Sequence, residues 1–277
     1  MNIRDNPPDR RGVLYPARLP TFDRFPAPRQ VDLLVRWIWI PRWDLEPGVT
    51  SRQRLLPFPA SNLVVQTDGV TLSGPATGAS HRDLTGRGWA VGALLRPAAV
   101  PSLGLEPAAI RDDEVPFSAP GLHAAVVDAM ASPDPRTGDE EAVRAVAGWV
   151  ATHLGEPDEA GLVADEMERL IATDRRIIRV EQVADRLGYS MRAVQRLAQR
   201  YFGLPPLAVI RRYRLQEAAQ RLRTEPGLTI AQVAADLGYA DQAHLSTDFR
   251  RVLGITARDY RAGADSSGTD RRPPTGL

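Results

Sequence analysis

Arginine side chains are numerous in this chain and are placed where they could bind a polyanion. Every one of the 35 basic residues is arginine, and the net charge of the whole chain is only +1. Residues 177–262 nevertheless hold 14 arginines against 8 acidic residues, whereas residues 1–176 hold 19 arginines against 24 acidic residues. Because a locally positive surface binds phosphates by releasing their condensed counterions, the block 177–262 suits a polyanionic partner.

Residues suited to catalysis are scarce by comparison. The chain has no cysteine, which excludes disulfides, thiolate nucleophiles and cysteine-ligated metal sites. His81 and His123 lie far apart, without the further histidines and the carboxylate that a metal site in a β-barrel needs. We therefore expect no enzymatic activity, no metal and no cofactor. Trp37, Trp39 and Trp89 are candidates for lining an apolar ligand pocket, and burial in the core of a small barrel is their alternative role.

The basic block contains one short pattern twice. Residues 183–190 are VADRLGYS, and residues 233–240 are VAADLGYA. Each copy is followed by a helical stretch that closes on a glycine, Gly203 in the first case and Gly254 in the second. The same apolar spacing and the same glycines at matching places indicate a duplicated structural unit.

Each copy predicts two short helices joined by a tight turn. Val183, Ala184 and Leu187 share one face of a helix. Gly188 supplies the positive φ that lets the chain leave that helix, and Ser190 is a good N-cap for a second helix, Met191–Tyr201. This is the geometry of a DNA-binding helix-turn-helix. An ordinary helical hairpin is the alternative, which the duplication and the positive charge disfavour.

One long helix connects the two motifs. Residues 207–224 contain neither glycine nor proline, and Pro205-Pro206 and Pro226-Gly227 bound them. Thr229–Gln232 and Thr256–Asp259 resemble capping boxes that open the following helices. The pattern predicts a buried side made by Leu207, Ile210, Leu215, Ala218 and Leu222 and a solvent-exposed side made by Arg211, Arg212, Arg214 and Arg221.

The residue pattern of the rest of the sequence predicts an α+β two-domain protein. Val31–Trp43 is β-branched and aromatic, as in a buried strand, and four further strand candidates follow at short intervals. We expect a cupin-like barrel or sandwich. These candidates are Leu55–Pro57, Asn62–Gln66, Val70–Ser73 and Trp89–Leu95. The predicted organisation is an irregular arm (1–30), a β-rich sensory or dimerisation domain (31–130), a helical connector (139–174), an all-α domain with two helix-turn-helix motifs (175–262) and a disordered tail (263–277).

The helical connector carries two apolar stripes. One runs from Ala142 through Val146 to Val150, and the other includes Leu162 and Met167. They could make dimer contacts or transmit a signal, or they could pack within their own chain. No apolar run is long enough to cross a bilayer, and the N-terminus lacks the apolar core of a signal peptide, so we expect a cytoplasmic protein without membrane contact.

Taken together, the two motifs and their connection resemble the AraC/XylS-type transcription regulators. The resemblance is carried by GLPPLAVIRRYRLQEAAQRL (203–222) and DQAHLSTDFRRVLGITARDYR (241–261), and it covers about residues 162–262. The N-terminal half looks like an uncharacterised β-rich region found ahead of such domains. The resemblance implies a sequence-specific regulator, activator or repressor, whose partners are double-stranded operator DNA and, as further candidates, a small-molecule effector, RNA polymerase and a second copy of the chain.

In this family each recognition helix is presented to the major groove, and two such helices bind successive groove segments. On this sequence, the first reading face would be Arg192, Gln195 and Arg196, which lie at i, i+3 and i+4. Arginine reads guanine and glutamine reads adenine, so these residues suit base contacts, with phosphate contacts as the alternative. The face of the second helix (Asp241–Leu253) would be Gln242, His244, Ser246 and Thr247, with Arg250 and Arg251 available for phosphates.

Two further functional alternatives remain at this point. The chain could be a constitutive DNA binder whose N-terminal domain only dimerises. It could also be an enzyme with an accessory helical domain, although the β-rich half offers no converging set of titratable residues in sequence.

Overall fold

A β-rich half is followed by an all-α half in the computed structural model, which describes residues 21–265. The α+β architecture expected from the sequence is thereby confirmed. Six strands form an antiparallel sheet in the order β1-β2-β7-β4-β5-β8, and β3 pairs with β6 in a separate two-stranded sheet. The strands are β1 (Thr21–Pro26), β2 (Val35–Asp44), β3 (Thr50–Leu55), β4 (Asn62–Gln66), β5 (Gly69–Ser73), β6 (Ser80–Thr85), β7 (Arg87–Leu95) and β8 (Glu114–Pro116).

Strand β2 is the longest strand of the large sheet, and its two faces have different partners. Ile38 and Ile40 are fully buried on one face, while Trp37 and Trp39 lie on the other, as the alternation of a strand requires. A bulge between Val35 and Trp37 resets this alternation at the start of the strand.

Two helices cover the Ile38 face. They are α1 (Pro120–Met130) and α2 (Pro135–His153). Asp134 caps α2 by accepting a hydrogen bond from Thr137 N at 3.2 Å, and Val146 and Val150 are buried in one core with Ile38. The first apolar stripe therefore packs within its own chain, which is one of the two roles that the sequence leaves open.

The structure departs from the sequence-based boundaries at three places. Thr21–Pro26 forms an edge strand where an irregular arm is predicted. Pro120–Met130, at the end of the predicted β-rich segment, is a helix. The last helix reaches Asp265, beyond the predicted start of the tail. The rest of the predicted arm and tail, 1–20 and 266–277, lies outside the described residues.

Besides β1, two strands escape the sequence analysis, and β3 lies earlier than predicted. β6 (SHRDLT) is almost wholly exposed and shows no apolar alternation, because it belongs to the small two-stranded sheet that it forms with β3. β8 has only three residues. β3 ends at Leu55, where the predicted strand Leu55–Pro57 begins.

The C-terminal half consists of seven helices among the described residues. Val183 and Val194 of the first motif share a core with Met167 and Ile171 of α3, so α3 packs as part of that motif rather than as a free connector. Every helix within residues 21–265 is too short or too polar to cross a bilayer. The helices are α3 (Glu159–Thr173), α4 (Val180–Leu187), α5 (Met191–Phe202), α6 (Pro206–Thr224), α7 (Ile230–Asp236), α8 (Gln242–Leu253) and α9 (Ala257–Asp265).

The predicted long helix is confirmed as α6, but the assignment of its sides is partly wrong. Arg214 and Arg221, expected in solvent, are only 5% and 7% exposed, whereas Leu207, expected in the core, is 38% exposed. The guanidinium groups are buried because each reaches acceptors on neighbouring segments. A buried charge with such partners escapes most of its desolvation penalty.

Asp165 on α3 makes the stability of the fold depend on pH. Its Oδ1 accepts a hydrogen bond from Ala98 N at 3.0 Å, but burial raises the pKa of the carboxyl group to about 7. The folded protein therefore holds the proton more tightly than the unfolded chain. This contribution to stability is fully present below the unfolded pKa, near 4, and is lost as the pH rises towards 7.

Replacement of Asp165 by asparagine should remove this dependence. The difference in unfolding free energy between Asp165→Asn and the wild type should grow from pH 5 to pH 8 by ~2.7 kcal/mol in favour of asparagine, because the wild type loses ~1.4 kcal/mol per pH unit between pH 5 and the folded pKa of about 7. Urea denaturation at the two pH values measures it. Equal pH trends in both proteins would contradict the assignment.

Candidate nucleic-acid interface

The first motif is built as the sequence predicts. Helix α4 ends at Gly188, which adopts φ +70°, and Ser190 Oγ caps α5 by accepting a hydrogen bond from Ala193 N at 3.2 Å. Val183 and Val194 are completely buried between the two helices and α3. The turn and the core therefore fix the orientation of α5 relative to the rest of the domain.

Helix α5 presents a polar face to solvent. Arg192, Gln195 and Arg196 are all exposed, and within the part of the chain that the structure describes none of them makes a hydrogen bond or an ion pair. Gln199 is also exposed and lies three residues after Arg196, so it extends the same face by one turn. The sequence analysis missed Gln199, although the same helical spacing identifies it.

The second motif repeats this construction. Gly238 follows α7 with φ +72°, and Asp241 caps α8 by accepting a hydrogen bond from His244 N at 2.7 Å. Thr229 and Gln232 form the expected capping box, with Gln232 N 3.1 Å from Thr229 Oγ1 and Thr229 N 2.8 Å from Gln232 Oε1. The capping box at Thr256 is also present.

More of the predicted side chains on α8 are engaged in contacts within the protein than on α5. Gln242, Thr247 and Arg250 are exposed, and Ser246 is half-buried. His244 Nδ1 lies 3.5 Å from Ala240 N, and its ring meets the edge of Tyr239 with centroids 5.3 Å apart. Arg251 is ion-paired with the buried Asp248. The structure therefore brings the predicted residues onto one helix but leaves a smaller share of them available than on α5.

Arg214 fixes the two motifs relative to each other. From the middle of α6 it donates to Leu237 O at 3.0 Å, at the end of α7, and to Ile177 O, just before α4. Burial lowers the pKa of its guanidinium, yet arginine stays charged at neutral pH. Arg221 adds a bond to Asp236 at 2.8 Å. Both motifs are thus held by side chains of the same helix.

The β-rich half contacts both α6 and α8. Gln216 Nε2 donates to Pro57 O at 2.8 Å in a buried position. Ala79 N donates to Val252 O, near the end of α8, at 2.9 Å, and Arg212 of α6 donates to Thr77 O. A segment of the β-rich half therefore touches the scaffold and the second recognition helix at once.

The same segment lines a cavity of about 620 Å³ between the two sheets. Trp37 and Trp39 line it, as proposed from the sequence. Trp89 lies on the opposite face of the large sheet and packs against the core beneath α1 and α2. The register explains this, because Trp39 pairs with Gly92 and so shares its face with Gly88 and Gly92 rather than with Trp89.

The histidines of the β-rich half do not form a metal centre. His81 lies on β6 beside the cavity, whereas His123 lies on α1 with its Nε2 3.0 Å from Gln66 O. Within residues 21–265 no three histidine or carboxylate side chains converge as metal ligands would.

The protein has two helix-turn-helix units joined by one helix, and they follow a β-rich domain in the sequence. Comparison with known families agrees: a model described as a helix-turn-helix domain matches residues 183–263, and a domain of unknown function, DUF6597, matches residues 23–116. The C-terminal region of the chain is an AraC-type helix-turn-helix domain.

The similar curated proteins are transcription regulators. The transcriptional activator RhaS of Escherichia fergusonii is 37% identical over 87 residues, which are 31% of this chain and 31% of RhaS. A putative AraC-like transcription regulator of Streptomyces lividans is 34% identical over 122 residues, 44% of this chain and 38% of that protein. The chain thus spans about a third of the length of these relatives.

A solved structure also matches part of this chain. An AraC-type transcriptional regulator from Chromobacterium violaceum is 26% identical, with a TM-score of 0.36, and the match covers 39% of this chain and 96% of that one.

Proposed function

We propose that this protein is a sequence-specific DNA-binding transcription regulator. The observation that carries the proposal is the exposed face of Arg192, Gln195 and Arg196 on the second helix of a rigid helix-turn-helix. A side chain that reads a base edge must be free of partners in its own protein, and these three are free among the described residues. Such a protein acts in the cytoplasm of a bacterium, where the chromosome lies.

Helices α5 and α8 enter successive major-groove segments on one side of the duplex. Because α6 fixes their relation, both engage only where those segments lie about one turn, ~34 Å, apart, with DNA bending where the geometry demands it. Arg192 and Arg196 read guanine O6 and N7, and Gln195 reads adenine N6 and N7. Gln199 extends this face along the groove.

Helix α8 contributes mainly to anchoring. Its outward residues are small or polar, and its exposed cation Arg250 suits a phosphate contact. Arg251 is held by Asp248, which limits how far it can reach. Gln242, His244, Ser246 and Thr247 complete the groove-facing surface and supply weaker discrimination than the arginine pair of α5.

A small-molecule effector bound in the β-rich half would control DNA binding. Support comes from segment 74–80, which lines the cavity on one side and bonds to Arg212 and Val252 on the other. Phe58 also lines the cavity, and its ring meets Tyr213 of α6 with centroids 5.5 Å apart. A molecule that occupies the cavity therefore contacts segment 74–80 and Phe58, which also contact α6 and α8.

The replacement Arg196→Ala tests the reading face. We expect the cognate site to lose ~1–3 kcal/mol of binding free energy and specificity to relax at one base pair. Arg169→Ala is the matched control, because it removes the same charge from an exposed side chain of α3 that pairs with Glu166. Titration of the cognate site and of its single-base variants gives both quantities. An equal loss on every sequence would reduce Arg196 to a phosphate contact.

Genome-wide mapping of binding sites with the purified protein tests the function as a whole. Discrete sites with a common motif support it, and site spacing reports whether one copy or two copies bind. Uniform binding to all DNA would refute it. The position of the sites relative to the promoters indicates whether RNA polymerase is recruited or blocked. If operator affinity responds to no ligand, the β-rich half serves dimerisation alone.

A further inference from the structure

The C-terminal ends of both recognition helices lie against the β-rich half. Gly203, which ends α5 with φ +62°, packs on the backbone of that half. A Cβ added at Gly203 would lie only 2.5 Å from Ala108 N. Near the end of α8, Val252 O accepts a hydrogen bond from Ala79 N at 2.9 Å. Each recognition helix is therefore in contact with a different loop of the β-rich half.

These two loops are bonded to each other, and we call them the loop pair (segments 74–80 and 104–113). Gly74 N donates to Asp113 O at 2.9 Å. Position 74 has no room for a side chain, because a Cβ there would overlap the carbonyl group of Ile110. The loops therefore lie backbone against backbone, and neither can move alone without breaking these contacts.

Asp112 adds a side-chain link within the loop pair. Its two carboxylate oxygens accept hydrogen bonds from the backbone N and from the hydroxyl group of Thr77, each at 2.5 Å. Bonds to a charged acceptor are stronger than bonds between neutral groups. Asp112 also has φ +61°, and no other residue besides glycine has a positive φ within residues 21–265. A sparsely populated backbone conformation of this kind persists where surrounding contacts hold it.

Thr77 extends this link to the helix that joins the two motifs. Its carbonyl oxygen accepts a hydrogen bond from Arg212 of α6. Burial lowers the pKa of the Arg212 guanidinium, and the nearby charge of Asp112 opposes this effect. The loop pair therefore contacts α5, α6 and α8, and Asp112 connects the loop that touches α5 with the loop that touches α6 and α8.

Arg214 and the loop pair act on different parts of the two motifs. Arg214 bonds to the segment before α4 and to the end of α7, whereas the loop pair contacts the ends of α5 and α8 themselves. We propose that Asp112 is a positioning residue that sets the distance between the two recognition helices through the loop pair. This inference rests on the proposed function, since a protein that binds two groove segments at once needs that distance fixed.

Spin-label distances in the DNA-free full chain test the inference. Because the chain has no cysteine, labels can be attached after Gln199→Cys on α5 and Thr247→Cys on α8, which are exposed positions. We expect one narrow distance distribution in this parent. Asp112→Gly keeps the positive φ but removes both bonds to Thr77, and it should broaden the distribution about twofold or more. An equally narrow distribution in Asp112→Gly would overturn the proposal.

Two further variants show whether the effect belongs to the link with Thr77. Asp68→Gly removes the same charge and adds the same backbone freedom in the exposed turn between β4 and β5, beside α1. It should leave the distribution narrow. Asp112→Asn tolerates the positive φ and can keep both bonds, since its amide accepts from Thr77 N and donates to the hydroxyl oxygen. It should restore most of the narrow distribution, and a failure to do so would contradict the assigned link.

A label pair within the first motif separates positioning from a general loss of structure. Labels attached after Arg169→Cys on α3 and Gln199→Cys on α5 report a distance that does not involve α8. This distribution should be unchanged by Asp112→Gly. Equal broadening in both label pairs would show that Asp112 maintains the fold of the first motif rather than the distance between motifs, and would overturn the proposal.

Titration of DNA distinguishes a failure of this inference from a failure of the proposed function. The probe is a duplex from the strongest site found by genome-wide mapping, with its natural spacing or with one base pair inserted between the two groove segments. The insertion should weaken wild-type binding about tenfold or more, but Asp112→Gly binding by only about threefold or less.

The two ways in which this titration can fail have different meanings. A wild type that ignores the inserted base pair would refute simultaneous binding of two groove segments, and this inference with it. A wild type and an Asp112→Gly variant that lose equal affinity on the altered spacing would overturn the role of Asp112 and leave DNA recognition standing.

Discussion

Replacing Arg214 by methionine should lower the free energy of unfolding by ~3 kcal/mol, because two buried carbonyl groups lose their donor at ~1–3 kcal/mol each. These are Ile177 O, before the first motif, and Leu237 O, within the second. Methionine keeps much of the apolar stem, so most of the loss comes from the missing hydrogen bonds rather than from a cavity. Urea denaturation measures the change.

The same variant should bind its operator at least about tenfold more weakly. Arg214 is buried and faces no DNA, so it acts as a positioning residue that holds the two recognition helices at one separation. When this link is lost, each motif can still bind its own groove segment, but the two no longer bind together without an added ordering cost. The loss should therefore be large on the full site and small on an isolated half-site.

Arg211 provides the matched control for this prediction. It lies three residues earlier on the same helix and is exposed, so Arg211→Met removes an equal charge without removing a bond to Ile177 or Leu237. Its unfolding free energy should change by less than ~0.5 kcal/mol, as is usual for surface substitutions. If Arg214→Met and Arg211→Met were equally stable, the proposed role of Arg214 would be wrong.

The helix-turn-helix units could be predicted from the sequence because their signals are local. A glycine at the turn, a serine at the cap and apolar residues four apart act within a dozen residues, and the structure places Gly188, Ser190 and Val194 as expected. The reading face follows from the same periodicity. Only the first such face is rich in arginine, and this difference is the basis for the unequal roles that we propose for the two copies of the pattern.

Burial of arginine could not be predicted in this way. Helical spacing shows that Arg211 and Arg214 lie on nearby faces of α6, but not that one of them meets two carbonyl groups from segments 37 residues before it and 23 residues after it. Such acceptors exist only once the two motifs have docked. For the same reason the exposure of Leu207 was missed, because docking decides which part of an apolar stripe is covered.

The lining of the cavity could also be predicted only in part from the sequence. Alternation along β2 predicts that Trp37 and Trp39 share a face, and they do. Whether Trp89 joins them depends on how β2 and β7 pair, and a shift of one residue would reverse the answer. The observed pairing of Trp39 with Gly92 sends Trp89 to the other side. Register between distant strands is a tertiary property that one sequence does not reveal.

Glu168 should be the residue whose loss most weakens the junction between the two halves. Its carboxylate is 2% exposed and lies 3.2 Å from Arg36 Nη1 of β2, while Arg36 Nη1 also donates to Tyr213 Oη of α6 at 2.7 Å. Glu168→Leu should cost ~3–5 kcal/mol of unfolding free energy, because it leaves the Arg36 charge buried without its acid. Chemical denaturation measures this cost.

The double variant Arg36→Met/Glu168→Leu decides how that loss is interpreted. If the cost comes from an uncompensated charge, removing both charges should restore most of the stability, as happens when buried ion pairs are replaced by apolar side chains of similar size. Additive losses would show that packing at each site matters more than the pair. Arg36 also lies 4.8 Å from the ring of Trp37 at the cavity floor. A double variant that regains stability but loses any ligand-dependent change in operator affinity would therefore identify this ion pair as the link between cavity and DNA-binding helices.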